Sequence, residues 1–315
     1  MQTGRGILLD VDYSTNENKN SQILLFIKTK NGIEKFFYPN YRPYFFALVD
    51  DAKTRKKEIE EMPLGEENAK PLNVIVEKKE NGENVLKLEF KSTSDLVSAR
   101  DKVKENSFVL ETREFDIPFT KRFLIDTALE PLNGIEFSFN EKKQIEKFSV
   151  LEEKKVLGEL NFFAFDLETH SPDRFSNPEK DPIISISTAT PEKTEAFLWK
   201  NKTTKEHAKH FETEKEMVLG FFEELRKEKP DVIVTYNGDL FDFPYLKKRC
   251  KILGIDIKKE LGFEPQEKRK GLEFAVKLKG IQHVDAYQLV RLMNRFGAMN
   301  LLKFDLESVS EAFFK

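Results

Sequence analysis

The chain has 315 residues of which 39% are hydrophobic, enough for one large domain or two of ordinary size. Charged residues make up 34%, yet the net charge is −3 and Lys and Arg are scattered, so any polyanion-binding surface has to be local. The single cysteine, Cys250, excludes an internal disulfide framework and a cysteine zinc cluster. No apolar run approaches the ~20 residues that span a bilayer, and MQTGRGILLD has no signal-peptide core; a soluble, cytoplasmic protein with no membrane partner is expected.

Up to about residue 150 the pattern is strand-rich. GILLDVDYS, SQILLFIKTKNGIEKFFYP, PYFFALVD, NVIVEKK and NVLKLEF read as β runs, with turn signals at Asn31-Gly32 and Asn81-Gly82. One helix is expected among them, over TSDLVSARDKVKEN, with Ser94 as its cap and Leu96, Ala99 and Val103 at helical spacing. Polar 140–160 reads as a surface connection between domains. From about 160 the order becomes β,β,β,α,β,α. Strands are expected at 160–167, 182–189 and 195–199. A helix over 214–228 has a Thr213-x-x-Glu216 capping box and an apolar face of Met217, Val218, Phe221, Phe222 and Leu225. A buried strand at 231–236 leads to a second helix in FPYLKKRCKILG, with Cys250 half-buried and Gly254 closing it. A hairpin over LEFAVKLKGIQHVDAY follows. The fold class expected is mixed α/β: a strand-rich first domain, then a mixed sheet flanked by helices.

The chemistry concentrates in NFFAFDLETH, 161–170. Alternation along a strand puts Asp166 and Glu168 on one side and Phe163, Phe165 and Leu167 on the other. Two carboxylates about 7 Å apart in a poorly solvated place raise each other's pKa unless a cation sits between them, and hard oxygen donors suit Mg²⁺ or Mn²⁺. With 55 acids in the chain, acid-x-acid pairs also arise by chance; what raises this one is its place at the end of an apolar strand. The second stretch is IVTYNGDLFDFPYL, 233–246, where Asp242 opens a helix. It reads as an N-cap, or, if sheet order brings the two strand ends together, as a third carboxylate of a two-metal phosphoryl-transfer site.

FAFDLET and YNGDLFDFPYLKKR resemble the first and second exonuclease motifs of family B DNA polymerases, in particular the archaeal branch. YRPYFFALVD, REFDIPFTKRFLID, HVDAYQLVRL and LESVSEAFFK extend the resemblance over essentially the whole chain. It implies an N-terminal polymerase domain over 1–155 and an RNase H-like 3′→5′ proofreading exonuclease over 156–315, serving DNA replication. Asp166, Glu168 and Asp242 would be the metal-site carboxylates; Thr169, Asn237 and Phe241 would hold the DNA 3′ end. Asp285 matches a recurrent acid at a strand end, and a structural hydrogen bond is its equal alternative. No stretch matches the family's third motif, Tyr-x-x-x-Asp, nor the palm, fingers and thumb. The implied partners are therefore primer–template and single-stranded DNA and the remaining portion of a polymerase, in the same gene or a separate chain.

Archaeal members recognise template uracil in a pocket of the N-terminal domain. The matching positions are Tyr13, Pro43, Tyr44, Leu96, Arg100, Ile117, Phe119 and Arg122, with Leu96 where valine is usual and Thr93 where proline is usual. An apolar slot can admit uracil and reject thymine by its methyl group; equally, these residues pack the domain. Three function classes stay open: the exonuclease portion of a polymerase, a non-catalytic template-binding module that docks on a separate polymerase chain, and a free-standing nuclease with Asp285 completing its site. His207-x-x-His210 reads as a solvated face rather than a zinc site, and no Walker loop or G-x-G-x-x-G is present.

Overall fold

The computed structural model describes all residues except 67–68, 80, 152–159, 172–174, 201–202, 263–264, 271–272 and 315. The chain divides into two compact units, Met1–Leu157 and Gly158–Lys315. The domain boundary expected at 155/156 lies outside the described residues.

The first unit runs β1 (Gln2–Thr15), β2 (Ser21–Thr29), β3 (Gly32–Tyr38), β4 (Tyr44–Val49), α1 (Ala52–Glu61), β5 (Asn73–Lys78), β6 (Asn84–Glu89), α2 (Thr93–Lys104), β7 (Val109–Arg113), α3 (Phe119–Thr127), β8 (Gly134–Phe139) and β9 (Ile145–Val150). One antiparallel sheet has the order β3-β2-β1-β8-β9 and a second β5-β6-β4-β7. Gly32 and Gly82 adopt the positive φ that their Asn-Gly turns require. Three details differ from expectation. The cap of α2 is Ser92, whose hydroxyl accepts from Asp95 N at 3.1 Å, while Ser94 bonds the Ser92 hydroxyl. The described residues of this unit form three helices rather than one; α1 buries only Ala52 and Ile59, too few for an apolar stripe to show in the sequence. Residues 145–150 form an edge strand with Ile145 buried, not part of a surface connection.

The second unit runs β10 (Phe162–Thr169), β11 (Ile183–Ala189), β12 (Thr194–Leu198), β13 (Ala208–His210), α4 (Glu214–Glu228), β14 (Val232–Thr235), α5 (Asp242–Leu253), α6 (Ile257–Leu261), β15 (Gln266–Lys270), β16 (Glu273–Lys277), β17 (Gln282–Asp285), α7 (Ala286–Arg295) and α8 (Leu306–Phe314). The mixed sheet has the order β13-β12-β11-β10-β14-β17; β10, β11 and β12 are antiparallel, while β14 runs parallel to both β10 and β17. The expected hairpin is corrected: β16 pairs with β15 upstream of it, and QHVD joins the main sheet as β17. The capping box of α4 is complete, and Gly254 ends α5 in the left-handed conformation.

The core lies between one sheet face and the α4–α5 pair. Phe163, Phe165, Leu167, Ile186 and Phe197 from the sheet meet Met217, Val218, Phe221, Phe222 and Leu225 of α4 and Phe243, Leu246 and Cys250 of α5. Cys250 is fully buried, and burial pushes its thiol up to about 12, an inert packing residue. A buried ion pair locks α5 to α4: Arg249 Nε donates to Glu214 Oε1 at 2.8 Å, and Nη2 reaches Oε2. Glu214 Oε1 also accepts from Ile183 N at 2.9 Å. Among the described residues no helix is long and apolar enough to cross a membrane.

Removing one partner of a buried pair leaves the other charge uncompensated, so Glu214→Gln is expected to destabilise this unit by about 3 kcal/mol. Urea unfolding followed by the fluorescence of Trp199, whose indole N–H donates to the Ile183 carbonyl, measures it. The double variant Glu214→Gln/Arg249→Met is expected to lose less than the sum of its parts.

Candidate functional site

Alternation along β10 is strict. Phe163, Phe165 and Leu167 face the helices, and Asp166 and Glu168 stand on the opposite side. Strand β14 lies parallel beside β10, with Ala164 opposite Val234, so the carboxyl ends of both strands reach one edge. Ligands of α/β sheets gather at such edges because the chain leaves the sheet there in loops. A register irregularity between Glu168 and Thr169 bends β10 at this edge.

Asp242 does not cap α5. The cap position is held by Phe241, without a side-chain hydrogen bond. Asp242 is the helix's first residue, 1% exposed, and its Oδ1 accepts from Leu167 N at 3.0 Å. The strand residue it grips is thus the one between Asp166 and Glu168. Burial pushes the Asp242 carboxyl up to about 7, the charge of Asp166 adds to the rise, and the Leu167 amide partly offsets both. Asp166 is open along the strand, yet desolvation by its neighbours and then the charge of Glu168 hold its carboxyl above the usual range. Asp166 thus interacts electrostatically with both Glu168 and Asp242.

The remaining 3′-end candidates lie along the same edge. Asn237 takes a left-handed conformation, φ 69°, that asparagine tolerates. Its amide donates to Asp285 Oδ1 at 2.8 Å, and Asp239 N donates to Asp285 Oδ2 at 3.0 Å. Asp285 also caps α7 through Tyr287 N, and its charge contributes to the raised pKa of Asp242. The Phe241 ring lies 5.2 Å from that of Tyr245. The Thr169 hydroxyl bonds Ser176 Oγ at 2.7 Å. Tyr245, one turn after Asp242 on α5, donates its hydroxyl to the Asp181 carbonyl at 2.8 Å and neighbours Thr169. Sequence reasoning passed over Tyr245; its i+3 spacing from Asp242 was the available signal. Asp166 also borders a groove of about 750 Å³ on the sheet face away from α4, lined by small and apolar residues that include Ala164, Ala196, Leu198 and Val234. His207 lines that groove too, while His210 Nε2 bonds the Thr203 carbonyl.

In the first unit the uracil-pocket candidates fall into two groups. Tyr13 meets Phe119 edge-on at 5.6 Å, and Arg122 lies over the Tyr44 ring at 5.1 Å. Tyr44 donates to Asp126 at 2.7 Å, and the Pro43 carbonyl accepts from Phe90 N. Arg122 is 8% exposed and pairs with Glu114 and Asp126, but its Nε has no hydrogen-bond partner among the described residues. Leu96 instead packs with the Phe45–Phe90 cluster, and Arg100 binds Asp101 and lies over Phe115. Ile117 is half-buried.

Asp166, Glu168 and Asp242 offer hard oxygen donors whose mutual repulsion a divalent cation relieves, so their chemistry fits Mg²⁺ or Mn²⁺. Among the described residues, no group of three His, Cys, Asp or Glu side chains already stands in metal-holding geometry.

Residues 110–309 match the exonuclease domain of DNA polymerase family B. The DNA polymerase of Pyrococcus glycovorans is 36% identical over 98% of this chain, which covers 36% of that protein. The DNA polymerase of Thermococcus gorgonarius is likewise 36% identical over 98% of the chain and 37% of its own length. The family B DNA polymerase from the hyperthermophilic archaeon Pyrobaculum calidifontis shares the fold, with a TM-score of 0.80 at 24% identity over 98% of this chain and 39% of that one. The chain therefore spans little more than a third of the length of these relatives.

A carboxyl raised to about 7 in the folded state and ordinary when unfolded stabilises the fold below the ordinary value and loses that contribution as pH rises toward 7. Without metal, wild-type stability is expected to fall between about pH 4 and pH 7, and Asp242→Asn, which still accepts from Leu167 N, to flatten that fall. At pH 8 the variant is expected to melt several degrees above wild type. Millimolar Mn²⁺ is expected to raise the wild-type Tm and leave the variant's unmoved, as measured by thermal melts with and without EDTA.

Proposed function

This chain belongs to DNA polymerase family B, and from that premise we propose that it hydrolyses the terminal phosphodiester at DNA 3′ ends as the proofreading portion of a replicative polymerase. The observation that carries this reading is Asp242, which accepts from Leu167 N and whose carboxyl is raised by its burial and then by the charge of Asp166, a repulsion that a cation relieves. Asp166, Glu168 and Asp242 would hold Mg²⁺ or Mn²⁺. When bound, the metal would activate water and stabilise the charge developing on the phosphate and the leaving oxygen.

The chain's own residues bind and orient the strand. Phe241, half-buried at the head of α5, would offer the exposed part of its ring to an unpaired base, which can stack whatever its identity. Asn237, held left-handed after β14, and Thr169, at the end of β10, would contact the terminal nucleotide. A frayed 3′ end enters this edge more readily than a paired one because its bases are already unstacked, which selects mismatched termini. On this reading the remaining polymerase portion would complete the donor set.

Degradation of a 3′-labelled, mismatched primer in Mg²⁺ tests the proposal. Cleavage is expected when the remaining polymerase polypeptide is supplied, and Asp166→Ala and Asp242→Ala are each expected to lower it by at least ~100-fold, since each removes several kcal/mol of charge stabilisation. No cleavage with or without that polypeptide would leave a non-catalytic module as the better account.

A second reading concerns the first unit, where the orphan Nε of Arg122 beside Tyr44 supports recognition of a polar template base such as uracil. Fluorescence anisotropy with template strands that differ in one uracil or thymine is expected to show tighter binding to uracil by roughly tenfold, the worth of excluding one methyl group. Equal affinities would overturn this reading.

A further inference from the structure

The turn that carries Asn237 into α5 is held by a buried side chain that has no place in the chemistry above. His283, on β17, is 4% exposed in its side chain, and its ring makes contacts with Thr235, Asp239 and Phe243. These three residues bracket Asn237, Phe241 and Asp242. His283 Nδ1 lies 3.2 Å from the Val276 carbonyl, which can only accept, so Nδ1 carries the proton. In the neutral ring, Nε2 then accepts from the Thr235 hydroxyl at 2.8 Å. Asp239 Oδ1 lies 3.4 Å from the same Nδ1 and accepts from Val276 N at 2.5 Å. The ring also meets Phe243 in a T-shaped contact, 4.8 Å between centroids, immediately after Asp242.

The turn above this pin is close-fitted and continuous with the helix. A Cβ at Gly238 would lie 2.2 Å from Thr235 Oγ1, so the backbone rests directly on the hydroxyl that His283 orients. Leu240 N and Phe241 N both donate to the Asn237 carbonyl, and Phe243 N donates to that of Gly238. Displacement at Thr235 or Asp239 is therefore passed along hydrogen bonds to Phe241 and Asp242.

We propose that His283 is a positioning residue of the exonuclease site: through Thr235, Asp239 and Phe243 it fixes the Asn237–Asp242 segment so that the 3′-end residues and the Asp242 carboxylate keep their places beside β10. The proposal rests on the function proposed above for the identity of the site, but its geometry does not. It requires the ring's two nitrogens and its flat ring at once, which no other residue type supplies.

The test uses the intact chain with His283→Phe, which keeps a ring against Phe243 and loses both hydrogen bonds, Thr235→Val, which loses the hydroxyl alone, and the double variant. Amide hydrogen exchange and Mn²⁺ affinity, from the free-ion EPR signal, are read for each. Exchange at 238–241 is expected to quicken at least tenfold in both single variants with β10 and α4 unchanged. Mn²⁺ binding is expected to weaken at least threefold, and the double variant to be no worse than the worse single, the mark of one shared interaction. Unchanged exchange at 238–241, or loosening spread evenly through β10 and α4, would overturn the proposal and leave His283 a core residue. Should His283→Phe fail to fold, Thr235→Val decides by the same two outcomes. Failure of the exonuclease reading shows separately, as wild-type protein that leaves the mismatched primer intact even when the remaining polymerase polypeptide is supplied, and the exchange comparison still decides the role of His283.

Discussion

Holding the Asp242 carboxylate inside the protein, beside a strand that already carries Asp166 and Glu168, is the constraint on which the second unit depends. A buried charge is unfavourable unless it is paired, hydrogen-bonded or neutralised. Here one backbone amide, Leu167 N, offsets part of the cost, and the rest appears as a carboxyl raised to about 7. Structures keep such an arrangement only where the surroundings over-determine it. The surroundings do so here from two directions.

The first is the core. Phe243, Leu246 and Cys250 sink one face of α5 into the same apolar cluster as Phe163, Phe165 and Leu167, so the helix cannot withdraw its first residue from β10 without exposing several large side chains. Farther along α5, Arg249 binds Glu214, which also accepts from Ile183 N, tying the helix to α4 and to the start of β11. The second is the chain before the helix. Asp285 takes two amides of the turn and one of α7, and His283 pins the residues on either side. Asp285 thus works through backbone amides while its charge adds to the strain on Asp242, so its structural and electrostatic contributions are inseparable in one carboxylate.

Much of this was legible residue by residue. The 2-residue period of FAFDLET placed both acids on one face, and the capping box and apolar face of α4 and the Gly254 stop of α5 followed local rules that tertiary contacts did not override. Local rules failed where the signal was weak or ambiguous. Helix α1 has only two buried residues, and its ordering rests on packing rather than on a visible stripe. Ser92 and Ser94 are equally good caps by type, and only the backbone conformation at Ser92 distinguishes them. Strand β16 could pair with a neighbour on either side in sequence; Gln266–Lys270 took it, which freed QHVD to join β14.

The sequence by itself determined which residue types carry the chemistry and which face each occupies within its own element, because side-chain alternation and helix caps depend on near neighbours in the chain. Sheet order, the partner of Asp242 and the convergence of Thr235, Asp239, Phe243 and His283 were decided by tertiary structure alone. The Thr235–His283 and Leu167–Asp242 contacts join residues 48 and 75 positions apart, whose pairing is set by the burial of whole faces rather than by any local preference.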